Sequence, residues 1–299
     1  MITISKVLRQ NNLRTNSYKK IGKTVLLNTN IGKIVAKPKN NSDIYEYLDS
    51  RSFNYYPKIV VDDTRYEFTE YIDEIEMPLD QKMSDMIKLV ALLHSKTTYY
   101  EEASEDTYKK IYEDIINNIE YLNSYYNDLI TIIESRVYMS PSEYLLARGI
   151  SKVFGSLEFT RKEIDEWFNI VKDKKKVRYV VLHNNLRLDH FIRNKSSYLI
   201  SWDKSKIDIP IFDLYKLYKR EGIKYDFDSV LKEYEKNYPL LEEEKKLLFI
   251  LISLPDKIEL DKDEYSMCVN ISEMLDSLYK AETIISPYYF KNTEQNPSN

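Results

Sequence analysis

Residues 183–213 read HNNLRLDHFIRNKSSYLISWDKSKIDIPIFD, and this stretch predicts more about the fold than any other part of the chain. A histidine and a polar loop are followed by two short apolar segments, which favour a loop and a pair of short strands. Pro210 then suits the first turn of a helix, where the missing N–H costs nothing. Asp213 follows near that helix N-terminus, where a carboxylate is favoured. We therefore expect Asp213 to be a structural brace.

The same stretch resembles the active-site segment of small-molecule kinases, namely aminoglycoside phosphotransferases, choline kinases and the kinase-like proteins of spore coats. In those families the segment reads H-x-D-x-x-x-x-N, then a short turn, then a hydrophobic residue followed by D-x-[DE]. Here Asn185 stands at the catalytic Asp position, His190 at the position of the metal-binding Asn, and Ser201 at that of the metal-binding Asp. Residues 205–222, SKIDIPIFDLYKLYKREG, resemble most closely the spore-coat proteins.

The replaced residues are those that the chemistry needs. Phosphoryl transfer from ATP requires Mg²⁺ held by hard oxygen ligands, usually with a carboxylate among them, and Ser201 supplies only a neutral hydroxyl. Asn185 can position an acceptor hydroxyl but cannot take its proton, and loss of a general base costs on the order of 10²-fold to 10⁴-fold in rate. An imidazole such as His190 can ligate metals, although Mg²⁺ prefers oxygen. The sequence therefore predicts a weak or absent metal site.

Two other positions keep the family pattern. His183 precedes the loop, and the resemblance implies that it braces the loop backbone without transferring a proton. Asp203 stands where the families place a second acidic residue. It is either a surviving metal ligand or a loop residue that caps a turn.

The N-terminal part shows a further resemblance. Residues 32–39, GKIVAKPK, have the apolar run and turn-forming ends of a strand. Their Val-Ala-Lys resembles the kinase strand whose lysine contacts the ATP phosphates and pairs with a glutamate of the next helix. The resemblance implies Lys37 for the phosphate contact and Glu46 for its partner. Glu70 to Ile72, at the end of a later strand, correspond to the hinge that receives adenine, although an edge strand explains them equally well.

A glycine-rich phosphate loop is missing from the sequence. Between the first two predicted strands, SYKKIG and KTVLLNT, the chain has only Gly22 and Lys23. With five glycines in all, it cannot supply the flexible cradle that lets a backbone approach phosphates closely. ATP binding is therefore expected to be weak or altered in pose.

Most of the remaining chain has helical periodicity. The resemblance implies an α+β, bilobal, protein-kinase-like fold with a small antiparallel β lobe carrying one helix, and a large helical lobe. We place the lobes at residues 1–75 and 76–290, with the boundary near 75–78. Residues 291–299, KNTEQNPSN, lack apolar side chains and are predicted to be disordered.

Composition excludes several classes of protein. A net charge of −4 with mixed signs gives no nucleic-acid footprint, and no apolar run approaches the length of a membrane span. Cys268 is the only cysteine, which excludes an internal disulfide and a cysteine-based metal cluster. The start of the chain lacks a signal-peptide core. We expect a cytoplasmic protein, or a spore-coat protein if the resemblance holds.

Taken together, the residues favour a catalytically degraded kinase-fold protein that acts as a binding or structural protein. The alternative is an active ATP-dependent small-molecule phosphotransferase acting on an alcohol group, with Asp203 and either Asp189 or His190 as metal ligands. A third reading, a nucleotide or small-ligand sensor, differs from the first only in whether the site is occupied. ATP and Mg²⁺ are the expected cofactors, with weak affinity, and the expected partners are a nucleotide or small molecule and a protein.

Overall fold

The computed structural model describes residues 2–39, 44–260 and 263–294. These residues form two compact units. Unit 1 is drawn from Met1–Thr97 and Val181–Ile207, and unit 2 from Thr98–Val180 and Asp208–Asn299. This division does not coincide with the lobe boundary expected at residues 75–78. One reason is that the Ile75 N–H donates to the Arg193 carbonyl, 2.8 Å away, which ties the expected boundary to a later segment of the same unit.

The secondary structure alternates early in the chain and is mainly helical later. The helices are α1 (Ile2–Gln10), α2 (Ile44–Ser50), α3 (Leu79–Thr97), α4 (Glu105–Glu134), α5 (Pro141–Val171), α6 (Ile211–Glu221), α7 (Phe227–Asn237), α8 (Glu242–Ser253) and α9 (Glu264–Glu294). The strands are β1 (Thr15–Ile21), β2 (Thr24–Thr29), β3 (Gly32–Pro38), β4 (Ile59–Asp62), β5 (Tyr66–Glu70), β6 (Tyr99–Glu102), β7 (Lys176–Leu182), β8 (Phe191–Arg193), β9 (Ser197–Leu199) and β10 (Lys206–Asp208).

Unit 1 is built on a five-stranded sheet with the order β1-β2-β3-β5-β4, and its paired neighbours are antiparallel. β1 and β2 join through the two-residue turn Gly22-Lys23, in which Gly22 has a φ of +60°. Glycine at the first position of such a turn matches the twist of a tight hairpin. The predicted small antiparallel sheet is confirmed, and a tight turn stands where a kinase would have a phosphate loop.

Helix α1 was missed by the sequence reading, which expected one helix beside this sheet. Its apolar side chains Ile4, Val7 and Leu8 form a buried cluster with one face of the sheet, including Leu27 and Phe68. Nine residues give too few helical turns for a strong periodic signal on their own. The sheet supplies the apolar surface that stabilises the helix.

The last part of unit 1 contains most of the segment that resembles a kinase active site. β8 and β9 pair as an antiparallel hairpin, with Phe191 opposite Leu199 and Arg193 opposite Ser197. Two single 3₁₀ turns, Leu188–His190 and Trp202–Lys204, flank the hairpin. The predicted loop followed by a short strand pair is therefore present.

Unit 2 contains the long helices that periodicity predicts. Helix α5 begins with a capping box: the Ser140 hydroxyl accepts from the Glu143 N–H, and the Glu143 carboxylate accepts from the Ser140 N–H. β6 pairs antiparallel with β7 beside these helices. Among the described residues, no helix has both the length and the apolar content needed to cross a bilayer.

The end of α9 corrects one boundary. This helix continues to Glu294, through the first four residues of the segment predicted to be disordered. Lys and Glu are good helix formers, so an established helix can continue into polar sequence. Residues 295–299, the rest of that predicted tail, lie outside the described residues.

Candidate nucleotide site

The two faces of the unit 1 sheet have different roles. Alternate residues of a strand point to opposite faces. On β3, Ile34 and Ala36 are fully buried and belong to the cluster that packs on α1. Val35 and Lys37, between and after them, are only partly buried and line a pocket on the other face. One strand thus supplies both the core of unit 1 and the floor of a pocket.

The pocket has a volume of about 200 Å³ and lies within unit 1. The sheet face forms its floor, the chain after β5 forms one wall, and the end of the β8–β9 segment forms another. Four of the residues that sequence analysis singled out line it: Lys37, Glu70, Ile72 and Ser201. These residues are separated by up to 164 positions in sequence, counted from 37 to 201. Their convergence makes this pocket the candidate functional site.

Lys37 has an acidic partner, but it is not the expected one. Its Nζ lies 3.2 Å from the Glu67 carboxylate, and the two side chains are only 20% and 8% exposed. Lys37 and Glu67 are directly opposite each other on β3 and β5, which places their side chains on the same face. Glu46, the partner expected on α2, is exposed. The structure therefore corrects the expected Lys37–Glu46 pair.

Helix α2 faces this pair with a tyrosine. The Tyr45 hydroxyl donates to the Glu67 carboxylate at 2.9 Å, so Glu67 holds Lys37 and Tyr45 on the same oxygen. Burial, followed by the charge of Glu67, raises the pKa of Tyr45 far above its ordinary value. Tyr45 therefore stays a neutral donor at physiological pH. Glu46, one residue later, turns away from the sheet because successive helix positions are 100° apart.

The hinge positions are built from strand-end backbone. The Glu70 carboxylate accepts from the Lys58 N–H at 3.1 Å, which fixes this side chain against the neighbouring chain segment. The Tyr71 N–H donates to the Lys33 carbonyl at 3.1 Å. In the described part of the chain, the backbone N–H and C=O of Ile72 make no hydrogen bond. Ile72 thus offers one donor and one acceptor beside the pocket.

The segment that resembles the catalytic loop is held by hydrogen bonds within itself and to Ile200, which follows β9. His183 is buried, and its Nε2 donates to the Ile200 carbonyl at 2.9 Å. The Ile200 N–H in turn donates to the His190 carbonyl at 2.9 Å. His190 Nδ1 donates to the Asn185 carbonyl at 2.8 Å. These bonds hold positions 185, 190 and 200 in one rigid segment.

Aromatic packing around Trp202 also supports this segment. The buried Trp202 indole lies edge-on to the His183 ring, with 4.8 Å between the ring centroids, and also contacts Phe53. Its Nε1 donates to the Leu199 carbonyl at 2.8 Å. Ser201 directly precedes Trp202 and lines the pocket. Its φ and ψ of 67° and 55° are left-handed. Non-glycine residues rarely adopt this conformation, so the surrounding contacts must hold it.

The donor set does not fit the magnesium site of a kinase. Asn185 is buried and neutral, Ser201 offers a hydroxyl, and Asp203 is the one carboxylate among these positions. Within residues 2–39, 44–260 and 263–294, no group of three or more His, Cys, Asp or Glu side chains could hold a metal ion. Mg²⁺ dehydrates reluctantly and demands near-octahedral oxygen ligands. A single exposed carboxylate does not meet that demand.

Asp213 belongs to a different part of the molecule. It is fully buried in the first turn of α6, in unit 2. A buried carboxylate at this place can interact with the free N–H groups of the helix start. Its predicted role as a structural brace agrees with that placement and remains a prediction.

Sequence reasoning missed Glu67 and Tyr45. The missed signal was a charged residue in the middle of a strand, YEFTE, whose neighbours are buried on both faces. Such a charge requires a partner. Strand pairing could have identified that partner, because in an antiparallel sheet directly opposed residues share a face.

Comparisons with known proteins match the fold. An aminoglycoside phosphotransferase from Alicyclobacillus acidocaldarius superposes with a TM-score of 0.69 at 9% identity, covering 93% of this chain and 92% of that one. An AMP-bound spectinomycin phosphotransferase gives 0.58 at 12% identity, covering 94% and 97%. A choline kinase from Streptococcus pneumoniae gives 0.48 at 14% identity, covering 95% and 97%.

This chain has the protein-kinase-like fold of the aminoglycoside phosphotransferases. Identities this low show the fold alone. No model of a protein family matches the sequence, and no curated protein matches it. The function must therefore be argued from the residues of the site.

Proposed function

We propose that this protein is a catalytically degraded kinase-fold protein that binds an adenine nucleotide in the unit 1 pocket and acts through binding. The observation that carries the proposal is the convergence of Lys37, Glu70, Ile72 and Ser201 on one pocket. The fold brings these four positions together, and the residues that occupy them supply a lysine, a strand end and the Ser201 segment around one space. Support also comes from the similar spectinomycin phosphotransferase, which has been solved with AMP and with ADP and spectinomycin.

The pocket offers two kinds of contact to such a ligand. Val35, Ile192 and Ile200 give it apolar walls, which suit the faces of a planar base. The free backbone groups of Ile72 match a ring that carries both a donor and an acceptor. Lys37 supplies a positive charge for the phosphate end. At about 200 Å³ the pocket accommodates part of a nucleotide, so the phosphates would lie toward its open side.

The same residues argue against ordinary phosphoryl transfer. Asn185 cannot accept a proton from an acceptor alcohol, and no carboxylate stands at position 201 to hold a metal. A bound nucleotide would therefore meet a charge at Lys37 without the metal and base that complete the reaction. Binding without turnover is the expected outcome.

An active phosphotransferase is the second candidate, and one feature favours it. Asp203 is exposed, and no hydrogen bond or ion pair engages its carboxylate within the described residues. His190 donates from Nδ1, which leaves its Nε2 lone pair available as a ligand. Asp203 and His190 are therefore the groups that an atypical metal site would use. A spore-coat setting and a protein partner, both implied by the resemblance, remain proposals without structural support.

A thermal-shift titration with ATP tests the proposal. A ligand at 100 times its dissociation constant adds about 2.7 kcal/mol to the unfolding free energy, so binding raises the melting temperature. We expect ATP to stabilise the protein in EDTA and in Mg²⁺ to a similar extent. Lys37→Met should remove most of this shift. Lys20→Met, which removes an exposed lysine of β1, should retain it. A wild-type protein that saturating ATP does not stabilise would contradict the proposal.

A further inference from the structure

The buried contact between Lys37 and Glu67 differs from the pairing that a kinase lysine makes. In the kinase pattern described above, the strand lysine is paired by a glutamate of the following helix. That arrangement makes the position of the lysine depend on the position of the helix. In this chain the exposed Glu46 leaves the helix without such a contact, and a different carboxylate lies against the lysine.

We propose that Glu67 is the positioning residue of Lys37, and that the lysine is held by strand register instead of by helix α2. The inference rests on the proposed nucleotide function for its consequence, since Lys37 is the group that would meet the phosphates. The Lys37–Glu67 contact itself is independent of any ligand.

The register of β3 and β5 fixes Glu67 opposite Lys37. Lys37 pairs with Glu67, and the neighbouring pair Val35 and Thr69 lies on the same face, so two successive pairs fix the alignment. Sliding β5 by one residue would turn Phe68 out of the α1 core, because strand side chains alternate between faces. The core of unit 1 therefore keeps Glu67 opposite Lys37.

Tyr45 completes the arrangement from the helix side. Its hydroxyl shares the Glu67 oxygen with Lys37, and the Tyr56 ring lies 4.7 Å from the Tyr45 ring, between centroids. Helix α2 is thus joined to the lysine site by the hydrogen bond that the neutral Tyr45 hydroxyl donates to the Glu67 carboxylate. The ammonium of Lys37 has three N–H donors and gives one to Glu67, so two remain for an anionic ligand.

As a consequence, Lys37 is positioned to contact an anionic ligand without any movement of helix α2. A Lys–Glu pair between strand and helix can be broken by a shift of the helix, which is how such sites are switched. Here both partners belong to adjacent strands of one sheet. The geometry fits a constitutive anion contact, which suits a binding protein that has no catalytic cycle to control.

A double-mutant cycle on melting temperature tests the pair without any nucleotide. Lys37→Met leaves the buried Glu67 carboxylate without its cation and should lower the melting temperature. Adding Glu67→Gln removes that uncompensated charge and keeps an oxygen acceptor for Tyr45, so the double variant should melt higher than Lys37→Met alone. The control pair, Lys37→Met with Glu46→Gln, should show simple addition. Coupling of Lys37 to Glu46 and not to Glu67 would overturn the inference.

The affinities for ATP and adenosine separate positioning from general stability. We expect Glu67→Gln to weaken ATP binding about tenfold, the loss of one charge-assisted contact, and to leave adenosine binding unchanged. Glu46→Gln should change neither affinity. An equal loss for both ligands, or none for ATP, would show that Glu67 does not position Lys37 for phosphate. If the wild type binds neither ligand, the proposed function fails while the cycle still decides the pairing.

Discussion

Ser201 combines an unusual backbone conformation with a place in the pocket lining. Its conformation is left-handed. The sequence resemblance predicts that its hydroxyl stands at the position of a metal-binding carboxylate. Asp and Asn tolerate left-handed φ better than most residues, because their short polar side chains can hydrogen-bond locally. The backbone at 201 is therefore compatible with an aspartate at this position.

The backbone strain at Ser201 predicts an ordering of two small variants. Ser201→Gly removes the Cβ that makes left-handed φ unfavourable, whereas Ser201→Ala keeps it and loses only the hydroxyl. We expect the glycine variant to be more stable than the alanine variant by about 1 kcal/mol, as measured by urea denaturation. At an ordinary surface position with negative φ, alanine would be the more stable of the two. The same result here would contradict the strained geometry.

Placing carboxylates at positions 185 and 201 tests whether the pocket can hold a metal ion. Asn185→Asp combined with Ser201→Asp should create a metal site with Asp203, so Mg²⁺ with ATP should raise the melting temperature of the double variant. Without metal the double variant should be less stable than the wild type, because carboxylates are brought close together. We also expect slow ATP hydrolysis by the double variant with Mg²⁺, since positioning and metal electrostatics carry most of this reaction.

Ser201→Asn on the wild-type background is the matched control. It has nearly the shape of the aspartate variant and tolerates the same backbone, but it adds no charge. Mg²⁺ should have no effect on it. A double variant that responds to Mg²⁺ no more than this control would show that two added carboxylates are not enough to make a metal site in this pocket.

Helix α1 is the element that closes the sheet face opposite the pocket. Leu8 is 1% exposed in the cluster that this helix forms with β2, β3 and β5. Leu8→Ala should lower the unfolding free energy by about 2 to 5 kcal/mol, because it removes buried methyl groups and leaves a cavity. Arg9→Ala, at the next and exposed position, should cost less than about 0.5 kcal/mol. Equal effects in chemical denaturation would mean that α1 does not dock on the sheet.

Helix α7 gives a prediction about pH. The Ser229 hydroxyl donates to the Asp226 carboxylate at 2.6 Å and lowers the pKa of this N-cap residue. Because the folded pKa is depressed, the stabilisation is present above the unfolded value of about 3.9 and is lost as pH falls through the folded value. Asp226→Ala should therefore cost about 1 kcal/mol at pH 7 and less at pH 3.

Urea denaturation at the two pH values measures this difference. Asp226→Asn, which keeps a capping oxygen but does not titrate, separates the cap from the charge. Its stability should lie closer to that of the wild type than the alanine variant does at pH 7. An alanine deficit that is the same at both pH values would show that the Asp226 charge contributes nothing.

At the scale of the whole molecule, sequence periodicity and residue resemblance predict the α+β architecture and the long helices. Lys37, Glu70, Ile72 and Ser201 could also be brought together from sequence, because each carries a position in a known motif. Glu67 could not, since its role depends on which strands become neighbours in the order β1-β2-β3-β5-β4. That order is set by the tertiary structure and not by local preference.

The division into units was also beyond local sequence signals. Residues 181–207 follow unit 2 segments in the chain but belong to the same compact unit as the sheet. The hydrogen bond from the Leu199 N–H to the Tyr55 carbonyl, 2.8 Å long, is one of the contacts that join them. Such contacts link positions more than a hundred residues apart, and no periodic pattern reports them.

We propose that the unit 1 pocket binds nucleotide through Lys37 without a working magnesium site. Calorimetric titration of the wild-type protein with ATP, once in MgCl₂ and once in EDTA, decides whether it does. We predict weak binding in both conditions, with dissociation constants that differ by less than about tenfold, or about 1.4 kcal/mol. Tight ATP binding that occurs only with Mg²⁺ would contradict the claim and favour an active phosphotransferase with Asp203 and His190 at its metal.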